Sequence, residues 1–141
     1  MARIALLLFL TMMLAACSIS SEPPFQPALQ GGPRLSFDRS TWDFAEVPAG
    51  KSLEAVFQLK NVGDRPLVID RAITRVVEGC CPPQPELEAT EIPSGKTSTL
   101  ALQITMAESM TGPHVFEVLV SSNDPVEPEA RLTAKAVYSK E

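Results

Sequence analysis

Cys80 and Cys81 stand side by side between Gly79 and the pair Pro82-Pro83, and their thiols are the most reactive groups the chain places in one short stretch. Three chemistries are open to them. In an exported protein thiols oxidise, but consecutive α-carbons lie only about 3.8 Å apart across a trans peptide. That is below the range of about 4.4 to 6.8 Å usual for a disulfide, so a vicinal Cys80–Cys81 bond would be strained and easily reduced. The plainest alternative is a pair of small apolar residues packed under a loop, for which cysteine is well suited. The third is metal ligation. Met106, Met110 and His114 follow in the next loop region, and thiolate, thioether and imidazole form a soft set suited to Cu(I) and less to Zn(II). Met106 shares the inward parity of Leu100, Leu102 and Ile104 and is expected in the core. His114, the only histidine, would most simply be an exposed strand-start residue after Pro113, which leaves Cys80, Cys81, Met110 and His114 as the candidate ligands.

Other chemistry finds no complete set. Ser94-Gly95-Lys96-Thr97 imitates the end of a phosphate-binding loop, but that motif needs a glycine where Thr90 stands, and a strand pattern follows it rather than a helix. A histidine-activated nucleophile would have to use His114, and the chain has neither a Gly-x-Ser-x-Gly elbow nor a family cysteine signature. Enzyme is therefore the least favoured class.

The elements that must position these residues alternate with period two from Arg34 onward, the pattern of short antiparallel strands broken by turns. Leu35 and Phe37 with Trp42 and Phe44 open it. Leu53, Ala55, Phe57 and Leu59 form the next apolar face, and Asn61 to Pro66 turns the chain back. Leu67 through Val77, a weak edge segment from Glu86 to Thr90, Leu100 to Ile104, Val115 to Val120 and Leu132 to Tyr138 complete seven strands in about a hundred residues. That spacing predicts an all-β, seven-stranded immunoglobulin-like antiparallel sandwich. The disulfide that joins the sheets of antibody domains has no cysteines available, so Trp42, Phe44, Phe57 and Phe116 are expected to anchor the core. In such a sandwich the third and fifth strands run the same way. The loop carrying Cys80 and Cys81 and the loop carrying Met110 and His114 therefore emerge at one end, with Gly79 and Gly112 allowing close approach.

A run of motifs carries a resemblance. Thr41-Trp42-Asp43-Phe44-Ala45-Glu46-Val47, Phe57-Gln58-Leu59-Lys60-Asn61-Val62-Gly63, Pro66-Leu67-Val68-Ile69, Ile92-Pro93-Ser94-Gly95 and Ser122-Asn123-Asp124-Pro125 together resemble a bacterial family of unknown function related to Hydin-type immunoglobulin-like domains. The resemblance implies binding and assembly rather than catalysis. At two places the chain departs from it. Ala45 stands where the family usually has Gly, which suggests a less sharply bent strand, and Cys80-Cys81-Pro82 replaces a usual Cys-Gly-Cys followed by Thr.

The segment before the domain addresses it. Met1 to Ala16 has Arg3 near its start, an apolar run from Ile4 to Leu14, and small residues before Cys17. The run is too short to span a bilayer and suits an export signal. Leu14-Ala15-Ala16-Cys17 resembles the bacterial lipobox, which implies a lipoprotein signal peptide over residues 1–16 and acyl chains such as palmitate on Cys17. Several chains anchor durably where one does not. Ser18 after the cysteine favours an outer-membrane address where such a membrane exists. Residues 17–33, with four prolines and a glycine pair, are expected to form a disordered linker. The sixteen residues after Cys17, Ser18 to Pro33, reach roughly 20 to 25 Å, enough to lift a domain at residues 34–140 off the headgroups.

Losing Arg3 with the leader takes the formal charge from −5 to −6. An acidic body does not neutralise phosphates, which argues against nucleic acid. The expectation is a membrane-tethered, extracytoplasmic binding or scaffolding domain with a protein partner and no turnover, the alternative being a Cu(I)-binding or delivery protein.

Overall fold

The computed structural model describes residues 31–140, so the signal segment, Cys17 and the linker up to Gln30 lie outside the described residues. Nine strands follow in order: β1 (Leu35–Phe37), β2 (Thr41–Pro48), β3 (Leu53–Asn61), β4 (Leu67–Glu78), β5 (Pro85–Leu87), β6 (Glu91–Ile92), β7 (Thr97–Ile104), β8 (Gly112–Ser122) and β9 (Glu129–Ser139). They form a four-stranded sheet in the order β1-β3-β7-β5 and a five-stranded sheet in the order β2-β9-β8-β4-β6. The immunoglobulin-like sandwich is thus present, and the period-two alternation is its cause. Leu53, Ala55, Phe57 and Leu59 of β3, with Leu100, Leu102 and Ile104 of β7, face Phe116, Val118 and Val120 of β8 and Leu132 and Ala134 of β9, all buried in one core.

The strand count is nine rather than seven because two expected strands each cross from one sheet to the other. The first crosses at Asp38 to Ser40. The Asp38 backbone N–H donates to the Gln58 carbonyl at 3.2 Å and its carboxylate accepts the Gln58 N–H at 2.9 Å, which ends β1 against β3. The Ser40 carbonyl then accepts the Thr133 N–H at 2.8 Å, and the chain continues as β2 beside β9. That pairing is parallel, so the sandwich is not wholly antiparallel as expected. The second crossing lies at Ala89 and Thr90. The Ser98 hydroxyl holds both the N–H and the carbonyl of Ala89, and the Thr90 carbonyl next takes the Ile69 N–H of the other sheet at 2.7 Å.

The expectation that Ala45 would relax the bend of its strand is corrected by the backbone. Ala45 adopts φ +56° at a register shift between Asp43 and Glu46 in the β2–β9 pair. The left-handed conformation that glycine would occupy freely is kept with a β-carbon in place. The Asp43 carboxylate sustains it by accepting the Ala45 N–H at 2.9 Å, while its other oxygen pairs with Lys135 at 3.0 Å.

Of the expected aromatic anchors, Phe57 and Phe116 are fully buried, whereas Trp42 and Phe44 are half-buried against the core. Trp42 meets Phe57 edge-on at 6.3 Å and carries the Arg39 guanidinium over its own ring at 4.3 Å. Tyr138, on the last strand, is buried as completely as Phe57 and is the anchor that the aromatic pattern did not single out.

Candidate functional site

The loop from β4 to β5 and the loop from β7 to β8 do emerge together. Their meeting is built on Gly79, which sits at φ +88° with the His114 ring pressed against it. A β-carbon at this glycine would stand 2.5 Å from His114 Cδ2, a distance real β-carbons do not tolerate. Gly112, at φ +97°, supplies the turn into β8, but a β-carbon there would meet nothing within 4 Å. Close approach is therefore the contribution of Gly79 alone.

Cys80 follows with its Sγ 2.8 Å from Cys81 Sγ and 3.6 Å from Met110 Sδ. Both thiols are free; Cys81 is exposed and Cys80 partly covered. The hydrogen bond with Cys81, then partial burial, holds the Cys80 thiol above its ordinary pKa. Cys81 itself is at φ +59°, a second left-handed residue within three positions, and one with a side chain. Strain of this kind costs about 1 to 2 kcal/mol. Pro83, two residues on, is buried.

Met110 packs against the core edge, and its N–H closes a turn by donating to the Ala107 carbonyl at 2.9 Å. Met106 is buried in the core, as its parity required. His114 is not the exposed strand-start residue that its place after Pro113 suggested: it is 4% exposed. Its ring meets Tyr138 edge-on at 5.4 Å and Phe116 at 6.4 Å, and its Nδ1 lies 3.1 Å from the Gly112 carbonyl oxygen. Among the described residues no three of His, Cys, Asp and Glu gather in a metal-holding group. The structure thus brings Cys80, Cys81 and Met110 into direct sulfur contact and sets His114 beneath Gly79.

Two open grooves lie elsewhere, one lined by Pro48, Ala49, Glu108 and Lys140, the other by Ala45, Pro113, Val115 and Val137 beside the Asp43–Lys135 pair. Neither of these two is lined by sulfur or imidazole.

The residues that carried the motif resemblance perform structural work at the opposite end. Asn61 is fully buried; its amide donates to the carbonyls of Arg65 and Ile92 at 2.7 and 2.9 Å and accepts from the N–H groups of Gly63 and Arg34. Asp124 accepts the Leu35 N–H at 2.8 Å and the Arg34 guanidinium at 2.7 Å. Asp64 takes the N–H groups of Gly31 and Gly32. Together they bind the incoming chain to the domain.

A further feature was missed in sequence. β6 pairs with β4 only at Leu67 and Val68, and one more bond reaches Ile69. From Asp70 to Glu78, β4 pairs with β8 on one side and with no strand among the described residues on the other. Ile73 and Val77, 43% and 60% exposed, lie on this stretch. The strand's unusual length was the available signal.

Residues 35–137 match the family described as Protein of unknown function (DUF1573), and the chain belongs to that family. Among curated proteins none matches. Among solved structures it is similar to a protein of unknown function from Porphyromonas gingivalis W83 (22% identity, TM-score 0.58, 83% of this chain and 51% of that one). It is also similar to the secreted serine protease VesC from Vibrio cholerae (12%, TM-score 0.56, 76% and 23%). A third is a family 123 glycoside hydrolase from Clostridium perfringens (9%, TM-score 0.55, 72% and 23%). The chain spans about half of the first and under a quarter of each enzyme, and the likeness is one of fold.

Proposed function

We propose that the chain is a lipid-tethered, extracytoplasmic binding domain that recognises a protein partner and performs no turnover of its own. The unpaired edge of β4 is the observation that carries this reading. A free run of backbone N–H and C=O groups is a template for an added strand. Its length here, from Asp70 to Glu78, suffices for a strand of ordinary size. The tether rests on Leu14-Ala15-Ala16-Cys17 after an export-like leader.

Mild crosslinking on membranes followed by purification of the full chain tests the reading. A specific protein partner is expected with the wild type and is lost when Ile73→Lys and Val77→Lys blunt the edge. Equal capture by this variant, or no specific capture by the wild type, overturns the edge as the recognition element. Replacing Cys17 by Ser should abolish lipid labelling and detergent partitioning; a wild type without lipid label overturns the tether.

A second reading, soft-metal binding or delivery through Cys80, Cys81, Met110 and His114, is favoured by one contact. The Cys80 thiol and the Met110 thioether, on different loops, lie 3.6 Å apart.

A further inference from the structure

Resting on that second reading, we infer that the end of the sandwich takes one Cu(I) ion on sulfur alone. The ligands are Cys80, Cys81 and Met110, and His114 is a positioning residue. Cys80 is the centre of the trio, 2.8 Å from the Cys81 sulfur and 3.6 Å from that of Met110. Three sulfur atoms from two loops, in contact at a partly open surface, select a soft monovalent ion over harder divalent ones. The two left-handed residues Gly79 and Cys81 aim consecutive side chains to one side, which an ordinary extended strand would send to opposite faces. At 2.8 Å the two sulfurs leave no room for an ion between them, so binding requires the exposed Cys81 side chain to rotate away.

His114 supports this geometry from below. Its ring is held between Tyr138, Phe116 and the backbone of Gly79, and Nδ1 is engaged at the Gly112 carbonyl. The other edge of the ring, Cδ2 with Nε2, faces Gly79, Nε2 standing 3.1 Å from where a β-carbon there would lie. The imidazole fills the space that a side chain at residue 79 would need, and so fixes where Cys80 begins.

Binding is an exchange of protons for metal, with copper monovalent throughout. Two thiol protons leave to solvent as two Cu–S bonds form, and the Met110 thioether adds its lone pair. Affinity therefore rises with pH.

The experiment is Cu(I) titration of the reduced full chain carrying Cys17→Ser, in which Cys80 and Cys81 are the remaining thiols, against a competing chromogenic Cu(I) chelator. One ion per chain is expected, with loss of binding in Cys80→Ser, Cys81→Ser and roughly tenfold weaker binding in Met110→Leu, the order expected when a supporting metal contact is removed. His114→Phe, which keeps a ring and removes both nitrogens, retains the affinity, whereas His114→Ala loses about tenfold. Equal weak binding by the wild type and the double cysteine variant overturns the site. Unchanged affinity in Met110→Leu overturns the sulfur trio, and loss of binding in a folded His114→Phe makes the imidazole a ligand. Partner capture through β4 is measured separately on the double cysteine variant, so failure of the copper site leaves that reading standing.

Discussion

Gly32 and Gly63 meet backbone to backbone, so closely that a β-carbon on Gly63 would stand 2.0 Å from the Gly32 carbonyl oxygen. The same carbon would lie 2.7 Å from the Arg34 nitrogen. Nothing in that surrounding is the flexible end of a side chain, so either the incoming segment or the β3–β4 turn must move. The Asp64 N–H bond to the Gly32 carbonyl and the Val62 N–H bond to the Arg34 carbonyl would both be disturbed. Gly63→Ala is expected to destabilise the fold by about 3 kcal/mol, in the range of substitutions that break a packed backbone contact. Urea denaturation of the full chain measures it, and a loss below about 1 kcal/mol would mean that the segment before β1 contributes little.

Asp124 locks the same segment by charge. Burial alone would raise its carboxyl, but the N–H groups of Leu35, Val126 and Glu127 and the Arg34 guanidinium prevail and hold its pKa below the ordinary 3.8. Because the folded value is the lower one, its stabilisation is complete above about pH 4 and drains away as pH falls through the folded value. Asp64, held down by the Gly31 and Gly32 N–H groups, acts in the same direction. Asp124→Asn should cost about 2 kcal/mol at neutral pH, the order for hydrogen bonds to a charged group. Denaturation midpoints followed from neutral to strongly acidic pH should show a shallower acid decline in the variant than in the wild type.

The alternating faces of β3, β7, β8 and β9 were legible because each is long and has one buried side, so period two is printed directly in residue type. The two sheet crossings were not. They are decided by hydrogen bonds from Asp38 and Ser98 to residues distant in sequence, and locally each segment reads as one interrupted strand. At the candidate site, strand direction alone was enough to bring the Cys80 and Met110 loops to one end. The burial of His114 had a signal that the preceding proline obscured: it shares the parity of Phe116, Val118 and Val120, all inward. Asn61 and Asp124 look like turn formers in sequence, and part of their bonding is local, but Asn61 also reaches Ile92 and Arg34 and Asp124 reaches Arg34 and Leu35, which no local window contains.

Ala45 gives a prediction of the opposite sign. Its φ of +56° is one that a β-carbon disfavours by about 1 to 2 kcal/mol. Part of that is offset by the freedom glycine has in the unfolded chain. Ala45→Gly should therefore stabilise the domain by about 0.5 to 1 kcal/mol. The measurement is the denaturation midpoint, and a destabilised variant would show that the Ala45 methyl contributes packing beside Pro113 and Val137 that outweighs the backbone strain.

Tyr138 offers a test that reads one residue alone, since it is the chain's single tyrosine. Its ring packs in the core against His114, yet its buried hydroxyl has no hydrogen-bond partner among the described residues. Burial pushes its pKa above the ordinary 10 because phenolate would be poorly solvated there. The fold is therefore at full stability with respect to this group below pH 10 and loses stability as pH rises toward the folded value. Tyr138→Phe keeps the ring and removes an unsatisfied polar atom, whose burial costs about 1 to 3 kcal/mol. The variant should be more stable by about 1 kcal/mol at neutral pH, with a gain that widens in alkali. Absorbance titration of the wild type should show phenolate forming later in the folded than in the unfolded chain. Earlier ionisation, or a destabilised Phe variant, would mean that the hydroxyl has a partner and holds the His114 side of the core in place.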